Sequence, residues 1–404
     1  MGHSLVAACL ITLRAVDAVE YRPFGRDTWR DPYPLYRRLR DEDPVHRSPG
    51  GYWVLTRFQD VFDAARDTAT FSSAHGLTFD DEGANLGVQT MVFMDPPEHT
   101  RYRRLVSRGF TPRNVAALEP ALQALVRSYV DALRDSGRAD FVAGLARPVP
   151  SWVVAHYLGV PEEDRFRFDE WTQAIVQASY DAGMTAAAAV ADLSAYFVGL
   201  VEAKRSAPGD DVVSDLIRAD DEGHGIGLEG ILGMAFVMIA GGNDTTTGLL
   251  AGAAELLTRY PDQRQRLLDD PTLIPNAVDE LLRLTSPVQG LCRVALRDTA
   301  VGGTAVAAGD RVLLGYGSAN RDEREFGADA EALDVARPID RFLTFSVGSH
   351  YCLGAAATRL QGRVVLEELL RVCPNFSVDA ASGVFADGAF TRRYESLPFD
   401  AGSA

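Results

Sequence analysis

The stretch that decides the fold runs from Phe345 to Gly354 and reads Phe-Ser-Val-Gly-Ser-His-Tyr-Cys-Leu-Gly. Within this cysteine loop, Gly348 can adopt a positive φ, which allows a tight turn, and Gly354 leaves open space before the next segment. That segment, Ala355–Leu370, is rich in Ala, Leu and Arg and predicts a helix. Cys352 therefore lies at a helix N-terminus, where unpaired N–H groups and the helix dipole favour a thiolate, the form that binds metal.

The pattern Phe-x-x-Gly-x-His-x-Cys-x-Gly resembles the cysteine-ligand signature of the cytochrome P450 superfamily, the haem-thiolate monooxygenases. The resemblance covers about Pro32 to Pro398 and is greatest to soluble actinobacterial members, particularly mycobacterial ones. It implies a mainly α fold, with a large helical domain, a small β-rich lobe and the haem between a long central helix and the cysteine loop. It also implies that Cys352 ligates a non-covalent haem b and that O2 is the co-substrate. Otherwise Cys352 is simply one more small buried hydrophobic residue.

Composition limits the organisation of the chain. It has 404 residues, 47% of them hydrophobic, and a formal net charge of −16. No linker, repeat or low-complexity tract divides it, so we expect an extension and lead-in at 1–31 and one catalytic domain at 32–404. Within that domain we expect β-rich parts at about 44–72, 294–316 and 375–399. The acidic charge argues against a nucleic-acid partner, because binding phosphates needs a basic surface.

Cysteine usage and the first residues indicate a cytoplasmic protein. The cysteines are widely scattered and form no paired spacing: Cys9, Cys292, Cys352 and Cys373. This usage suits a reducing compartment, and the absence of a Cys-x-x-Cys-His unit indicates that any haem is held non-covalently. The apolar stretch Leu5–Leu13 lacks a basic flank and is too short to span a bilayer, so we expect no membrane insertion.

Hydrophobic periodicity predicts many helices and little strand. A helix is expected at Pro34–Arg40, a strand at Tyr52–Thr56, and a β region from Val301 to Leu314 with a hairpin at Gly302-Gly303. Four further segments have helical periodicity between Pro, Gly or Asp clusters: Ala116–Leu133, Glu162–Ala178, Ala186–Ala203 and Pro261–Leu268.

A long helix is predicted from Gly227 to Leu257, and its stretch Ile231–Ala240 is apolar on every face, so it must cross the interior. Its middle reads Gly241-Gly242-Asn243-Asp244-Thr245-Thr246. Two glycines lower the helix propensity there, and a buried carboxylate is unfavourable unless it has a partner. This run matches the superfamily's [AG]-G-x-[DE]-T pattern. By resemblance the glycines provide space for dioxygen, Gly241 contacts the cofactor, and Asp244 and Thr245 are the acid and alcohol that deliver protons.

We expect Thr245 to bond back to the carbonyl of Gly241 and Asp244 to connect to solvent. Taken without the cysteine loop, the same run is equally typical of a helix bent by two glycines.

The resemblance assigns roles to two groups of charged residues. Glu280 and Arg283 share a helix face, which alone is typical of a surface salt bridge. The resemblance makes them, with Arg337, a structural trio that holds the cysteine loop. Haem propionates need positive or hydrogen-bonding partners. The resemblance assigns that contact to four residues, His99, Arg103, Arg293 and His350, and places Phe345, Gly348 and Gly354 around the cofactor.

The helix that carries His99 is expected to start at Asp95-Pro96-Pro97-Glu98, with Asp95 as its cap. Taken alone, Arg293 is typical of an ordinary surface arginine. Arg101, Arg104 and Arg108 lie on another face of the helix that carries His99. They form either a basic docking patch or a solvated surface.

Electrons must come from other proteins, because the chain has no flavin- or nicotinamide-binding fingerprint. We expect a ferredoxin and its reductase as partners.

The substrate is expected to be a hydrophobic organic molecule. By resemblance its pocket is lined by the loop 77–93, the segment 175–180, the helix around Val237 and Gly241, the stretch 288–291 and a C-terminal turn near Phe390. The pocket residues singled out are Phe93, Val237, Val288, Leu291 and Phe390.

Two other functions stay open from the residues alone. A haem protein that binds or senses ligands without turnover would carry the same cysteine loop. A peroxide-driven peroxygenase would too, although it does not need the proton relay of Asp244 and Thr245. The chain departs from the family pattern at Ser346, where many members have glycine, and at Ala307, where proline is frequent.

Overall fold

The computed structural model describes residues 21, 26–79, 90–165, 171, 184–221, 226–388 and 391–402. Within them the α-helices, numbered in chain order, are α1 (Arg26–Arg30), α2 (Tyr33–Glu42), α3 (Phe58–Arg66), α4 (Glu98–Val106), α5 (Pro112–Ser136), α6 (Pro148–Tyr157), α7 (Met184–Ser206), α8 (Val212–Ala219), α9 (Gly227–Arg259), α10 (Pro261–Asp269), α11 (Ile274–Thr285), α12 (Tyr316–Ala319), α13 (Glu323–Phe326) and α14 (Ala355–Val372).

The strands are short and form small sheets. They are β1 (Val45–Arg47), β2 (Trp53–Leu55), β3 (Phe71–Ser72), β4 (Arg138–Asp140), β5 (Leu291–Ala295), β6 (Thr299–Val301), β7 (Thr304–Val306), β8 (Arg311–Leu314), β9 (Ser377–Val378), β10 (Val384–Phe385), β11 (Tyr394–Ser396) and β12 (Pro398–Asp400). The largest sheet has the order β1-β2-β8-β5-β3, and only β2 and β8 pair in parallel within it. A three-stranded sheet, β4-β12-β9, and two hairpins, β6-β7 and β10-β11, complete the set.

The predicted mainly α fold with a minor β part is confirmed. The predicted helices at Pro34–Arg40, Ala116–Leu133, Ala186–Ala203 and Pro261–Leu268 correspond to α2, α5, α7 and α10, and the strand at Tyr52–Thr56 contains β2. Gly302 and Gly303 both have positive φ and turn the predicted hairpin between β6 and β7. Of the helix predicted at Glu162–Ala178, the structure describes the 3₁₀ turn Glu162–Asp164 and Trp171 but not residues 166–170 or 172–180.

Helix α9 crosses the main hydrophobic core, as its uninterrupted apolar run predicts. It packs against α6, α11 and α14 and against the π-helical turn Val142–Ala146. Thr247 fixes one of these contacts by donating to the Ala146 carbonyl at 3.1 Å. Helix α14, which follows the cysteine loop, packs against α5 and α11. The cysteine loop and the middle of α9 are thus both anchored in the same core.

The start of α4 differs from the prediction. Its N-terminal residue is Glu98, and Pro97 precedes it without a side-chain cap. The carboxylate of Asp95 instead accepts hydrogen bonds from the Ser73 N–H, at 2.9 Å, and from the Ser72 hydroxyl. The capping role predicted for Asp95 is therefore wrong, because Ser72, at the end of β3, and Ser73, which follows it, compete for its oxygens.

The only lysine of the chain is held in an ion pair. Lys204 Nζ lies 2.6 Å from Asp211 Oδ2, and their side chains are 12% and 6% exposed. Asp211 also caps α8 by accepting from the Ser214 N–H. The pair therefore joins the end of α7 to the start of α8.

Among the helices built from described residues, none combines the length and the apolar character that crossing a bilayer requires.

Candidate active site

Cys352 lies on a tight loop between a 3₁₀ turn and a long helix. The 3₁₀ turn spans Gly348–His350, and α14 begins three residues after the cysteine. Gly348 has a φ of 70°, the left-handed conformation predicted for it. The Cys352 N–H donates to the Phe345 carbonyl at 2.8 Å. These two features fold the loop closely around the cysteine.

The backbone after Cys352 presents N–H groups to the sulfur. The N–H groups of Gly354 and Ala355 are directed at Sγ, and a Cβ added at Gly354 would have Sγ as its contact at 4.0 Å. Burial raises the pKa of the Cys352 thiol. These N–H groups and the charges of Arg103 and Arg359 lower that pKa and so oppose the effect of burial. The sulfur is therefore suited to become a thiolate when a cation such as iron compensates for its burial.

Phe345 and Ser346, at the start of the loop, are each held by a contact with another segment. The guanidinium of Arg359 lies 4.8 Å from the centre of the Phe345 ring. Ser346 has a φ of 54°, a left-handed conformation that favours glycine. The hydroxyl groups of Tyr316 and Ser346 lie 3.3 Å apart in a hydrogen bond. The departure from glycine at Ser346 is thus tolerated at the cost of backbone strain.

The structure brings together four residues that the sequence predicts to contact a cofactor: His99, Arg103, Arg293 and His350. The ring centroids of His99 and His350 lie 4.2 Å apart. Arg293 is only 2% exposed, although an isolated arginine is typical of the surface. Burial, and then the charges of Arg293, His99 and Arg103, lower the pKa of His350 to about 3. The four side chains therefore form one electropositive cluster next to the cysteine.

This cluster contains two buried ring nitrogens that have no hydrogen-bond partner among the described residues. They are His99 Nδ1 and His350 Nε2. The other nitrogen of His350 donates to the carbonyl of Met94. Buried polar atoms are rarely left unpaired, and two neighbouring arginines favour a negatively charged ligand. The cluster fits a buried carboxylate group, and a haem propionate is such a group.

Glu280, Arg283 and Arg337 form the predicted trio, and it is buried. Arg283 donates two hydrogen bonds of 2.7 Å to the Glu280 carboxylate, and Arg337 Nε donates a third at 3.1 Å. Glu280 and Arg283 are both 0% exposed. A surface salt bridge, the alternative that the spacing alone favours, is therefore wrong for this pair.

Asn320 joins this trio to the cysteine loop, and sequence reasoning missed it. Arg283 Nη1 donates to the Asn320 carbonyl at 2.6 Å. The Asn320 side chain in turn donates to Thr344 Oγ1, at 2.9 Å, and accepts from the Leu343 N–H, at 2.7 Å. Leu343 and Thr344 directly precede the loop. The polar run Ser318–Asp322, which follows an apolar strand, is the signal that could have identified this link.

The polar run Gly241–Thr246 in the middle of α9 is helical, and one of its side chains forms a hydrogen bond with the backbone. Thr245 Oγ1 donates to the Gly241 carbonyl at 2.7 Å, as predicted. Asp244 differs from the prediction, because its side chain is only 16% exposed and its Oδ2 lies 3.0 Å from Arg393 Nε. Burial raises the pKa of Asp244, and the charges of Arg393 and Arg147 oppose that rise. Asp244 therefore keeps a small exposed fraction in contact with solvent, and most of its side chain lies in an ion pair that the sequence does not predict.

The two glycines before this acid have different roles. Gly241 and Ala240 are exposed in the middle of an otherwise buried helix, and a Cβ added at Gly241 would meet no atom within 4 Å. A Cβ added at Gly242 would lie 2.6 Å from Val154 Cγ2 on α6. Gly241 therefore borders open space, which suits a cofactor or dioxygen. The expectation that both glycines provide such space is wrong for Gly242, which permits close packing of two helices.

The predicted substrate pocket is described only in part. All four described members are partly buried: Phe93, Val237, Val288 and Leu291. Val288 forms an isolated β-bridge with Thr391, so two of the predicted lining segments are adjacent. Phe390, the loop residues 80–89 and the segment 175–180 lie outside the described residues. The common role of these residues in a pocket stays a prediction.

The basic face of α4 is shorter than its spacing predicts. Arg101 and Arg104 are exposed. The helix ends at Val106, and Arg108 belongs to the 3₁₀ turn Ser107–Phe110, with a side chain outside the described part. Two exposed arginines on α4 therefore remain as the described part of this patch.

Comparison with known proteins places this geometry in context. A family model described as Cytochrome P450 matches residues 186–384. Over 401 residues the chain is 51% identical to Cytochrome P450 130 of Mycobacterium tuberculosis (strain H37Rv), an alignment that covers 96% of this chain and 99% of the relative. It is 37% identical over 389 residues to the Cytochrome P450 monooxygenase PikC of Streptomyces venezuelae, which covers 93% and 92% of the two chains.

Among solved structures, the chain resembles the bacillaene polyketide synthase cytochrome P450 PksS of Bacillus subtilis. The TM-score is 0.87 at 30% sequence identity, and the match covers 95% of this chain and 100% of the other.

Proposed function

The chain belongs to the cytochrome P450 family, and from that premise we propose that Cys352 is the cysteine that ligates the haem iron. The protein is a haem-thiolate monooxygenase that inserts one oxygen atom of O2 into a hydrophobic organic substrate, with non-covalent haem b as its cofactor. The observation that carries the assignment is the position of Cys352, whose sulfur faces two backbone N–H groups beside a cluster suited to propionates. Bound haem supplies the activation of dioxygen, and thiolate ligation favours cleavage of the O–O bond.

We assign the binding of the propionates to the electropositive cluster. His99 and His350 each have a buried ring nitrogen available, and Arg103 and Arg293 supply the charge. Gly241, Gly348, Phe345 and Gly354 shape the space around the cofactor. These assignments are supported by the unpaired nitrogens and by the open space at Gly241.

Asp244 and Thr245 are assigned to the delivery of protons. The Thr245 hydroxyl donates its own proton to the Gly241 carbonyl, so its oxygen is left to accept a proton or a hydrogen bond from another group. Asp244 is adjacent in sequence and ionisable, and its oxygens can accept a proton and return it. Their presence favours a monooxygenase over a peroxygenase, which does not need this relay.

The trio of Glu280, Arg283 and Arg337 is assigned a structural role. Its bonds through Asn320 reach the two residues before the cysteine loop, so it supports the position of Cys352 without touching substrate. We further propose that residues 32–404 form one catalytic domain after the lead-in 1–31.

Membership of the family implies redox partner proteins as the source of electrons. We propose that the donor is a ferredoxin served by a ferredoxin reductase, and that Arg101 and Arg104 on α4 help to dock it. Two exposed arginines on a chain with a net charge of −16 create a local attraction for an acidic partner. Turnover with NAD(P)H by this chain alone would contradict the proposal.

We also propose that the enzyme works in the cytoplasm. Cys352 and Cys373 are free thiols, which suits a compartment that keeps thiols reduced.

The test of the assigned function is the absorption spectrum of the holoenzyme, reduced with dithionite and exposed to carbon monoxide. A strongly red-shifted Soret band means thiolate ligation. A band at the unshifted position would point to imidazole or thiol ligation and would contradict the role of Cys352.

Reconstitution with a surrogate ferredoxin and reductase then separates the remaining functions. Substrate-dependent consumption of NADH with formation of oxygenated product identifies a monooxygenase. Ligand binding without turnover would identify a sensor, and turnover with hydrogen peroxide alone would identify a peroxygenase.

A further inference from the structure

Asp244 is paired with an arginine that no sequence motif identifies. Arg393 lies immediately before β11, and its Nε is 3.0 Å from Asp244 Oδ2. Both side chains are largely buried, at 11% and 16% exposure. The Nε–H is not aligned for a hydrogen bond with this oxygen, so the contact is held mainly by charge. A charge-held contact in a largely buried setting is stronger than a surface ion pair.

The backbone that carries Arg393 is fixed against α9. A Cβ added at Gly248, one helical turn after Asp244, would lie 2.8 Å from the Arg392 carbonyl oxygen and 3.4 Å from Arg393 Cβ. The absent side chain of Gly248 therefore lets the segment approach the helix closely. The Arg393 carbonyl also accepts from the Ala386 N–H at 3.0 Å. These backbone contacts fix the position of the segment, so the Arg393 guanidinium is held beside the Asp244 carboxylate.

A second arginine reinforces the same charge. Arg147 donates from Nη2 to the Glu395 carbonyl at 3.1 Å, and its charge also lowers the pKa of Asp244. Among the described residues, these two arginines are the charged groups that act on the Asp244 carboxyl. Burial works in the opposite direction and favours the neutral acid. The protonation state of Asp244 is thus set by a balance between burial and two guanidinium groups, of which Arg393 makes the direct contact.

We propose that Arg393 is a positioning residue for the proton relay: it keeps Asp244 ionised and orients its carboxylate, so that the acid enters each turnover as a proton acceptor. This inference rests on the relay role proposed above for Asp244 and deepens it. In a pass of the relay, one Asp244 oxygen accepts a proton from solvent and releases the same proton to Thr245 Oγ1, while the Thr245 hydroxyl gives up its own proton into the open space beside Gly241. Asp244 then returns to the carboxylate paired with Arg393, and the charge balance is restored.

The test is an infrared titration of the Asp244 carboxyl group in the holoenzyme. The stretching band of the protonated carboxyl is followed against pH, and the spectrum of a matched Asp244→Asn protein is subtracted in each background. We compare wild type with Arg393→Gln and Arg393→Lys. The control is Arg138→Gln, which also removes one positive charge, but from a side chain that is 87% exposed and paired with Asp400.

We expect Arg393→Gln to raise the titration midpoint of Asp244 by about 1 to 3 pH units, because an adjacent guanidinium lowers a carboxyl pKa by that amount. Arg393→Lys should restore most of the wild-type midpoint, and Arg138→Gln should leave it unchanged. An unchanged midpoint in Arg393→Gln would overturn the inference. An equal shift in the control would also overturn it, because net charge would then explain the effect. If Arg393→Gln does not accumulate as folded protein, Arg393→Met, which keeps an apolar stem of similar length, takes its place.

The role of Arg393 and the relay role of Asp244 are tested by different measurements, so either can be contradicted without the other. The infrared midpoint needs no substrate and reports only whether Arg393 holds the acid ionised. The relay role is tested by the yield of product per NADH consumed in Asp244→Asn. A wild-type yield in that variant would remove the relay, whatever the infrared midpoint shows.

Discussion

The imidazole rings of His99 and His350 lie 4.2 Å apart between centroids, although one belongs to α4 and the other to the cysteine loop. Each ring has one buried nitrogen that no described residue satisfies. The contact joins α4 to the loop that carries Cys352. A ligand that pairs with these nitrogens therefore stabilises both elements at once.

Replacement of His99 by leucine is expected to weaken haem retention. A hydrogen bond to a charged group contributes about 1.5–3 kcal/mol, which corresponds to a roughly 10- to 100-fold faster release of haem. The measurement is the rate of haem transfer to apomyoglobin. His156→Leu serves as control, because His156 is exposed on α6, where its ring stacks on Trp152 and meets the Tyr157 ring edge-on. Equal transfer rates in the two variants would contradict the propionate assignment.

Replacement of Cys352 by alanine is expected to abolish the red-shifted Soret band of the reduced, carbon monoxide-bound protein. The cause is the loss of the thiolate, since at Cys373 burial and the charge of Asp131 raise the pKa of the thiol, and the charge of Arg134 opposes them. Cys373→Ala is the matched control and should keep the band, because Cys373 is a buried residue at the C-terminal end of α14. Retention of the band in Cys352→Ala would mean that another residue binds the iron.

Replacement of Glu280 by alanine is expected to lower the free energy of unfolding by about 3–5 kcal/mol, because it leaves two buried arginines without their carboxylate. The readouts are urea denaturation and the haem content of the purified protein. Glu325→Ala removes a carboxylate that pairs with Arg341 at 2.7 Å, but at the surface, where the side chains are 42% and 21% exposed. That control should cost no more than about 1 kcal/mol. Similar losses in both variants would contradict the structural role of the trio.

The two glycines in α9 should respond differently to the same substitution. Gly242→Ala places a methyl group 2.6 Å from Val154 Cγ2 and should destabilise the protein by about 1–3 kcal/mol. Gly241→Ala meets no protein atom within 4 Å and removes a flexible residue from a helix, so the fold of the haem-free protein should be unaffected or gain up to about 1 kcal/mol. Urea denaturation followed by circular dichroism compares them. The opposite order of stability would show that the packing of α9 on α6 is not as described.

Replacement of Thr245 by alanine is expected to leave haem binding intact and to divert electrons from product to hydrogen peroxide. The reason is that the hydroxyl beside the open space at Gly241 is lost, while the helix is kept. The measurement is peroxide formed per NADH consumed. Thr258→Ala is the control on the same helix, since its hydroxyl makes the equivalent bond to the Ala254 carbonyl at 2.8 Å. Equal coupling in wild type and Thr245→Ala would remove the assigned role.

Local patterns predicted the parts of the site that depend on near neighbours. The helix after Cys352, the positive φ of Gly348 and the bond from Thr245 to Gly241 all follow from short spacings and elementary backbone rules. The positions of α2, α5, α7 and α10 were recovered for the same reason, because periodicity and flanking Pro, Gly and Asp residues are local signals, although α5 extends three or four residues beyond its predicted ends.

Features that depend on distant segments were missed. Arg393 carries no motif, and only the fold brings it to Asp244. Asp95 follows a good capping pattern, but Ser72 and Ser73 take its oxygens. Gly242 has the sequence context of a ligand contact, and its neighbour across the interface, Val154, decides that it is a packing residue.

The ion pair between Lys204 and Asp211 determines which chemical cross-linking reaction can join this protein to a redox partner. Lys204 is the only lysine in the sequence, and its amine is largely shielded. Reagents that link lysine side chains on two proteins will therefore find no suitable lysine on this one. Carbodiimide coupling, which joins the abundant carboxylates of this chain to lysines of a partner, is the chemistry that its surface supports.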